Sequence, residues 1–169
     1  MNYRLTKLNE NMDIKEYQMY QDIDNIPLRS LNPILNKSFN EYKKIIKEYI
    51  SEEKELNPIL NTTTNRYILY VDDIPVGEFG IRTTLNDFWI NSGSQIFYKI
   101  RKSYQGKGYG NIILKLGLEE CRKLGFKQIR ANCEDDNIPS KKILLKLGFK
   151  PDKHYENKNG KATSYIIKL

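Results

Sequence analysis

At 169 residues, 39% of them hydrophobic, the chain can bury one domain-sized core and is too short for two ordinary domains, so a single domain over 1–169 is expected. Its 28 Lys and Arg against 21 Asp and Glu give a formal net charge of +7, which suits a phosphorylated ligand; the basic residues are scattered among acids, and that pattern gives nucleic acid no support. No apolar run approaches the roughly 20 residues of a membrane span, residues 1–10 lack the apolar core of a secretory signal, and a cytoplasmic location is expected.

In chain order, Tyr3 to Leu8 alternates as a first strand, and Glu10 to Asp24 carries Met12, Tyr17, Met19 and Tyr20 at near-helical spacing. Pro27 and Pro33 then break the pattern. From Ser38 to Lys54 an amphipathic helix is predicted, with Phe39, Tyr42, Ile45, Ile46, Tyr49 and Ile50 on one face; 57–65 reads as a loop. Arg66 to Val71 and Val76 to Arg82 form a hairpin about the turn Asp72 to Pro75. Period two puts Glu78 and Arg82 on a common face, either in a cleft or, as preferred here, as an exposed ion pair. Residues 83–93 read as irregular, with Phe88 and Trp89 packing over a site, and Gly93 leads into a strand through Ile96, Tyr98 and Ile100.

After that strand comes Ile100 to Asn111, IRKSYQGKGYGN, followed by a helix from Gly110 to Leu124 that Gly125 stops. Lys127 to Cys133 is a further strand, which makes a βαβ unit with a parallel pair. A short helix spans Ile138 to Leu147, with Pro139 in its first turn and Gly148 at its end. Phe149 to Glu156, the turn Asn157 to Lys161 and Ala162 to Lys168 close the chain as an antiparallel hairpin. Cys121 and Cys133 lack metal-ligand spacing and are expected as buried reduced thiols, with no metal bound.

The glycine loop carries the chemistry. Gly106, Gly108 and Gly110 remove side chains between a ligand and the main chain at a helix N-terminus, where unpaired N–H groups and the peptide dipole suit a phosphate or diphosphate. A Walker loop needs Lys-Ser/Thr after its last glycine, and Gly110 is followed by Asn111 and Ile112. A dinucleotide fingerprint needs a glycine where Asn111 stands, and stays as a weak second reading. Gln105, Gly106, Lys107, Gly108, Tyr109 and Gly110 instead fill Gln/Arg-x-x-Gly-x-Gly/Ala in order. Further on, Asn137, Ser140, Ile143, Leu147, Gly148 and Phe149 fit Asn-x-x-Ala/Ser followed by an apolar helix ending in Leu-Gly-Phe.

These two motifs, in this order, resemble the GNAT N-acetyltransferase superfamily, most densely over 94–150. The resemblance implies an α/β fold with a mixed twisted sheet of about seven strands and about four helices. It implies acetyl-coenzyme A as co-substrate, its diphosphate held by Gln105 to Gly110 with Asn111 following. Tyr98, Lys99 and Ile100 would lie along the pantetheine arm, with the Ile100 amide toward the thioester carbonyl. Asn137 and Ser140 would meet the arm or cap the helix. The expected reaction is acetyl transfer to a primary amine of a small molecule or peptide by direct attack in a ternary complex; an acyl-coenzyme A sensor without catalysis is the alternative. Members often pair as homodimers.

The usual tyrosine seven places after the motif asparagine is here Leu144, which leaves Tyr155, Tyr109, a water or no protein group as the acid. Glu78 is the first candidate base and Glu134 the second. His154, the sole histidine, reads as a surface residue.

Overall fold

The computed structural model describes residues 1–25, 31–92, 94–157 and 160–169. The expected breaks at Pro27 and Gly93, and the middle of the Asn157 to Lys161 turn, lie outside these residues. Among the described residues the strands are β1 (Tyr3–Lys7), β2 (Thr64–Val71), β3 (Ile74–Arg82), β4 (Ile96–Ile100), β5 (Gln128–Glu134), β6 (Lys150–Asn157) and β7 (Gly160–Lys168). The helices are α1 (Ile14–Gln21), α2 (Phe39–Ser51), α3 (Asp87–Ser92), α4 (Tyr109–Lys123) and α5 (Ile138–Lys146), with a 3-10 turn at Lys102–Tyr104.

Local chemistry accounts for the helix starts. At α2 the Glu41 amide donates to Ser38 Oγ (3.3 Å) while the Ser38 amide donates to the Glu41 carboxylate (2.8 Å), so each end of the first turn satisfies the other. Asn137 Oδ1 accepts the Ser140 amide at the start of α5, and Pro139 sits in its first turn. The unforeseen element is α3, within the stretch read as irregular. Asn86 starts it by accepting the Trp89 amide on its side chain (3.1 Å) and the Ile90 amide on its carbonyl (3.0 Å).

The seven strands divide into two antiparallel sheets, ordered β1-β2-β3-β4 and β5-β7-β6. The expected parallel pair, β4 and β5, forms no ladder: the Gln95 amide donates to the Arg130 carbonyl (3.2 Å), and the Arg130 amide donates back to Gln95 Oε1 (3.3 Å). Beyond that link the two strands go separate ways, each paired on its other edge, so the mixed sheet is split by a seam.

Both faces of the β2–β3 hairpin are covered. Tyr67, Leu69, Phe79 and Ile81 pack with Ile113, Leu114 and Leu118 of α4. Ile68 and Tyr70 point the other way, into a core made by Met19 and Tyr20 of α1 and Tyr42 and Ile46 of α2. That second layer overturns the exposed-pair reading of Glu78 and Arg82: Glu78 is 1% exposed, because α1 packs over the face it occupies.

Candidate functional site

The loop after β4 is built as a cradle. Gly106 (φ +75°) and Gly108 (φ +85°) are left-handed, and nothing lies within 4 Å of where a Cβ would stand on either. Gly108 is the N-cap of α4, so the amides that begin that helix face open space above the turn. Gly110 serves a different need, since a Cβ there would meet Ile143 Cδ1 at 2.6 Å; it allows α4 and α5 to approach. Gln105 donates from Nε2 to the Ile100 carbonyl (3.0 Å), which ties the loop to the end of β4. Lys107 donates to the Ser103 carbonyl (3.0 Å) and lies over the Tyr104 ring. The Tyr109 side chain turns into the core, where it meets Tyr3 and Tyr104 edge-on or tilted, so only its main chain faces the cradle and its phenol is removed from the candidate acids.

Asn111, in the first turn of α4, carries a buried Oδ1 with no hydrogen-bond donor among the described residues. A buried acceptor left without a partner is costly, and this one lies beside the cradle.

Along the seam, the Arg101 amide bonds the Val76 carbonyl on β3. Alternation then directs the amides of Tyr98 and Ile100 away from β3, toward the gap between β4 and β5. The Tyr98 side chain shares a 2.7 Å hydrogen bond with Ser140 Oγ of α5. Burial, ahead of the opposing Ser140 bond, pushes the Tyr98 phenol up to about 12, so at neutral pH it is a proton donor. The pairing of these two hydroxyls was not foreseen; the signal was present, since Tyr98 has the period of the α4-facing strand positions and Ser140 belongs to the Asn-x-x-Ser motif. Leu144 is buried in the core, and Tyr155 donates its hydroxyl to the Asn91 carbonyl.

The opposite face of β4 presents Phe97 and Lys99. Here Glu78 Oε1 accepts from Tyr20 Oη (3.2 Å) and Arg66 Nη1 (3.1 Å), while Lys99 Nζ stands 3.9 Å from Oε2. Arg66 also bonds Glu52 (3.2 Å) and lies 3.7 Å over the Tyr49 ring. Burial holds the Lys99 ammonium below its ordinary value against the pull of Glu78, with Arg66 and Arg82 adding repulsion. Glu78 therefore belongs to a buried ionic network on the α1-covered face of the sheet, not to a surface pair. His154 is exposed, with Nδ1 3.0 Å from Thr163 Oγ1 on the hairpin, and Glu134 ends β5. Cys121 and Cys133 are buried reduced thiols, as expected.

A family model described as an acetyltransferase (GNAT) domain matches residues 8–150. The chain belongs to the GNAT acetyltransferase family. It is thereby an acyltransferase whose co-substrate is acetyl-coenzyme A, and the open glycine turn, the orphaned Asn111 acceptor and the unpaired edge of β4 suit that molecule.

Among solved GNAT structures, RimL, a ribosomal L7/L12 alpha-N-protein acetyltransferase in complex with coenzyme A, superposes with a TM-score of 0.74 at 17% identity, covering 100% of this chain and 95% of that one. YncA from Salmonella typhimurium, with its cofactor acetyl-CoA, gives 0.67 at 13% identity over 99% and 94%. A mutant of the spermidine N-acetyltransferase SpeG from Vibrio cholerae gives 0.70 at 14% identity over 98% and 93%. These likenesses are of fold. Comparison with curated proteins gives no match. No helix among the described residues is long and apolar enough to cross a membrane.

Proposed function

We propose that this GNAT chain is an N-acetyltransferase that moves the acetyl group of acetyl-coenzyme A onto a primary amine by direct attack, with both substrates held at once. One observation carries the reading: a left-handed glycine turn at the mouth of a seam whose wall is an unpaired strand edge. In this reading the main-chain N–H groups of Gln105 to Gly110 hold the diphosphate, and Asn111 Oδ1 accepts a donor from the bound molecule. The arm lies along Tyr98, Lys99 and Ile100 as an added strand.

Tyr98 lies deeper in the gap than Ile100 by about 6.6 Å, at about 3.3 Å per residue. Its amide is therefore the one directed at the thioester carbonyl oxygen, and the Ile100 amide, adjoining the loop, holds the arm. A fixed donor aimed at developing negative charge is worth about 2.7–4 kcal/mol. Glu78 is the base: among the described residues Oε2 has only the long Lys99 approach, which leaves it able to take the amine proton directly or through a water. Tyr98, relayed by Ser140, returns a proton to the departing thiolate. Asn137 caps α5 and so fixes Ser140.

A covalent route through cysteine has little support, since burial pushes the Cys121 thiol up to about 12 and Cys133 is also buried. Two buried reduced thiols also favour a reducing compartment, hence the cytoplasm.

The test is a panel of primary amines with acetyl-coenzyme A, followed by free thiol release, beside calorimetry with coenzyme A. Thiol release that requires an amine is the expected result. Coenzyme A binding with no turnover across the panel would leave a sensor domain instead.

A further inference from the structure

We infer that the acceptor is an anionic amine, a primary amine carrying a carboxylate close to its nitrogen, and that Arg82 is the specificity residue that receives the carboxylate. This rests on the proposed transferase reading and names its substrate class.

Period two places Tyr98 toward α4 and α5, and Phe97 and Lys99 on the opposite face of β4. If the coenzyme enters over the loop at the start of α4, the acceptor reaches the same thioester from the Phe97–Lys99 side. That side has an unbalanced charge. Three cations, Arg66, Arg82 and Lys99, gather about the Phe97 ring at 5.2, 5.2 and 5.9 Å. Two carboxylates answer them, Glu52 and Glu78, and both are engaged by Arg66.

Arg82 is the cation left over. Among the described residues it has no carboxylate within ion-pair distance; its protein contacts are the Ser94 carbonyl (2.5 Å) and the face of Trp89 (3.9 Å). Its Nε is buried without an acceptor, and so is that of Arg66. Burial, with Arg66 nearby, holds the Arg82 guanidinium down to about 10. A guanidinium over an indole, with an Nε that lacks an acceptor, is matched by a carboxylate. A third anion would complete three cations with three negative charges, whereas a polyamine would add positive charge to a face already in excess.

Trp89 is the single tryptophan of the chain, so its emission reports on Arg82 directly. The experiment has two arms on the full-length protein. In the first, kcat/KM is measured for α- and ω-amino carboxylates beside their carboxamides, for aminomethylphosphonate, for short peptides with Asp or Asn in second position, and for spermidine. In the second, the N-acetylated amino carboxylates and their amides are titrated against Trp89 emission with coenzyme A present.

The expected result is at least a tenfold preference for carboxylate over carboxamide, brought within twofold by Arg82→Gln and partly kept by Arg82→Lys, with saturable emission change for the carboxylates alone. Preference among free amino acids or among the Asp peptides identifies which carries the carboxylate, and phosphonate equal to carboxylate widens the class to any oxyanion. Equal use of the amides, faster spermidine turnover, or a preference that survives Arg82→Gln overturns the inference while the transferase reading stands. Saturable carboxylate binding with no turnover of any amine supports the anion site and overturns the transferase reading; absence of both overturns the anion site. Arg82→Gln removes a charge without breaking an ion pair, so thermal melting should show a folded variant.

Discussion

Gly108 and Gly110 stand on the same turn yet answer different demands, and substitutions separate them. An alanine at 108 must hold φ near +85°, at a cost of roughly 1–2 kcal/mol. If the loop relaxes to avoid that strain, calorimetry should find coenzyme A binding weakened about 5- to 30-fold, with melting little changed. Gly110→Val drives into Ile143 instead, so it should lower stability by about 1–3 kcal/mol on denaturation while the cradle amides remain. At Glu78, Gln keeps size and hydrogen bonding but cannot take a proton. We expect kcat to fall by about 10²–10⁴ with KM for acetyl-coenzyme A little changed; a kcat within twofold of the parent would assign Glu78 to holding Arg66 and Lys99 in place. Ser140→Ala should lower kcat by less, because the Tyr98 phenol remains and loses only its relay partner.

Among the elements, α1 and the loop after β4 are coupled through one residue. The Asp22 carboxylate accepts from Arg101 Nε (2.8 Å), from the Ser103 amide (3.3 Å) and from the Ser103 hydroxyl, while the Asp22 carbonyl accepts the Lys102 amide (2.7 Å). Burial by itself would raise this carboxyl, but the Ser103 and Arg101 donors outweigh it and hold it below its ordinary value. A carboxyl depressed in the folded state contributes stability that is present above its unfolded value, about 3.9, and is lost as pH falls through the folded one. Asp22→Asn should therefore flatten the acid limb of the stability curve and raise KM for acetyl-coenzyme A, since the loop loses its anchor.

The strand and helix placements were legible in sequence because period and capping are local: Ser38 with Glu41, Pro139 after Asn137, and Gly106 and Gly108 all act within a few residues of themselves. The burial of Glu78 was not legible. It depends on α1 folding back over β3 from far upstream, and nothing within the strand itself distinguishes a covered face from a solvated one. The α3 helix was hidden for a related reason, because Trp89 is fixed by a bond from Nε1 to the distant Leu60 carbonyl (2.9 Å).

For the whole molecule, the division into two sheets means that one continuous β-structure is interrupted where β4 and β5 meet. Hydrogen exchange should find the β2–β3 amides slowest, being covered on both faces, and those of Tyr98 and Ile100 fast until acetyl-coenzyme A is added. Protection at those two positions without change in β6 and β7 is the pattern expected of a ligand that pairs as a strand; uniform protection would argue for general tightening.

The link between Gln95 and Arg130 pins one end of the seam and leaves the other free to accept a ribbon of ligand. Deacylation removes only the terminal two-carbon unit, so the spent thiol would give up the carbonyl contact to Tyr98 and keep the bond of its arm to Ile100. Departure then means peeling an entire paired arm from β4, and that peeling should be slower than the chemistry it follows. Rapid-mixing experiments should accordingly record a burst of acetylated amine in the first turnover, followed by a slower steady rate that quickens when the arm's hold on Ile100 is weakened.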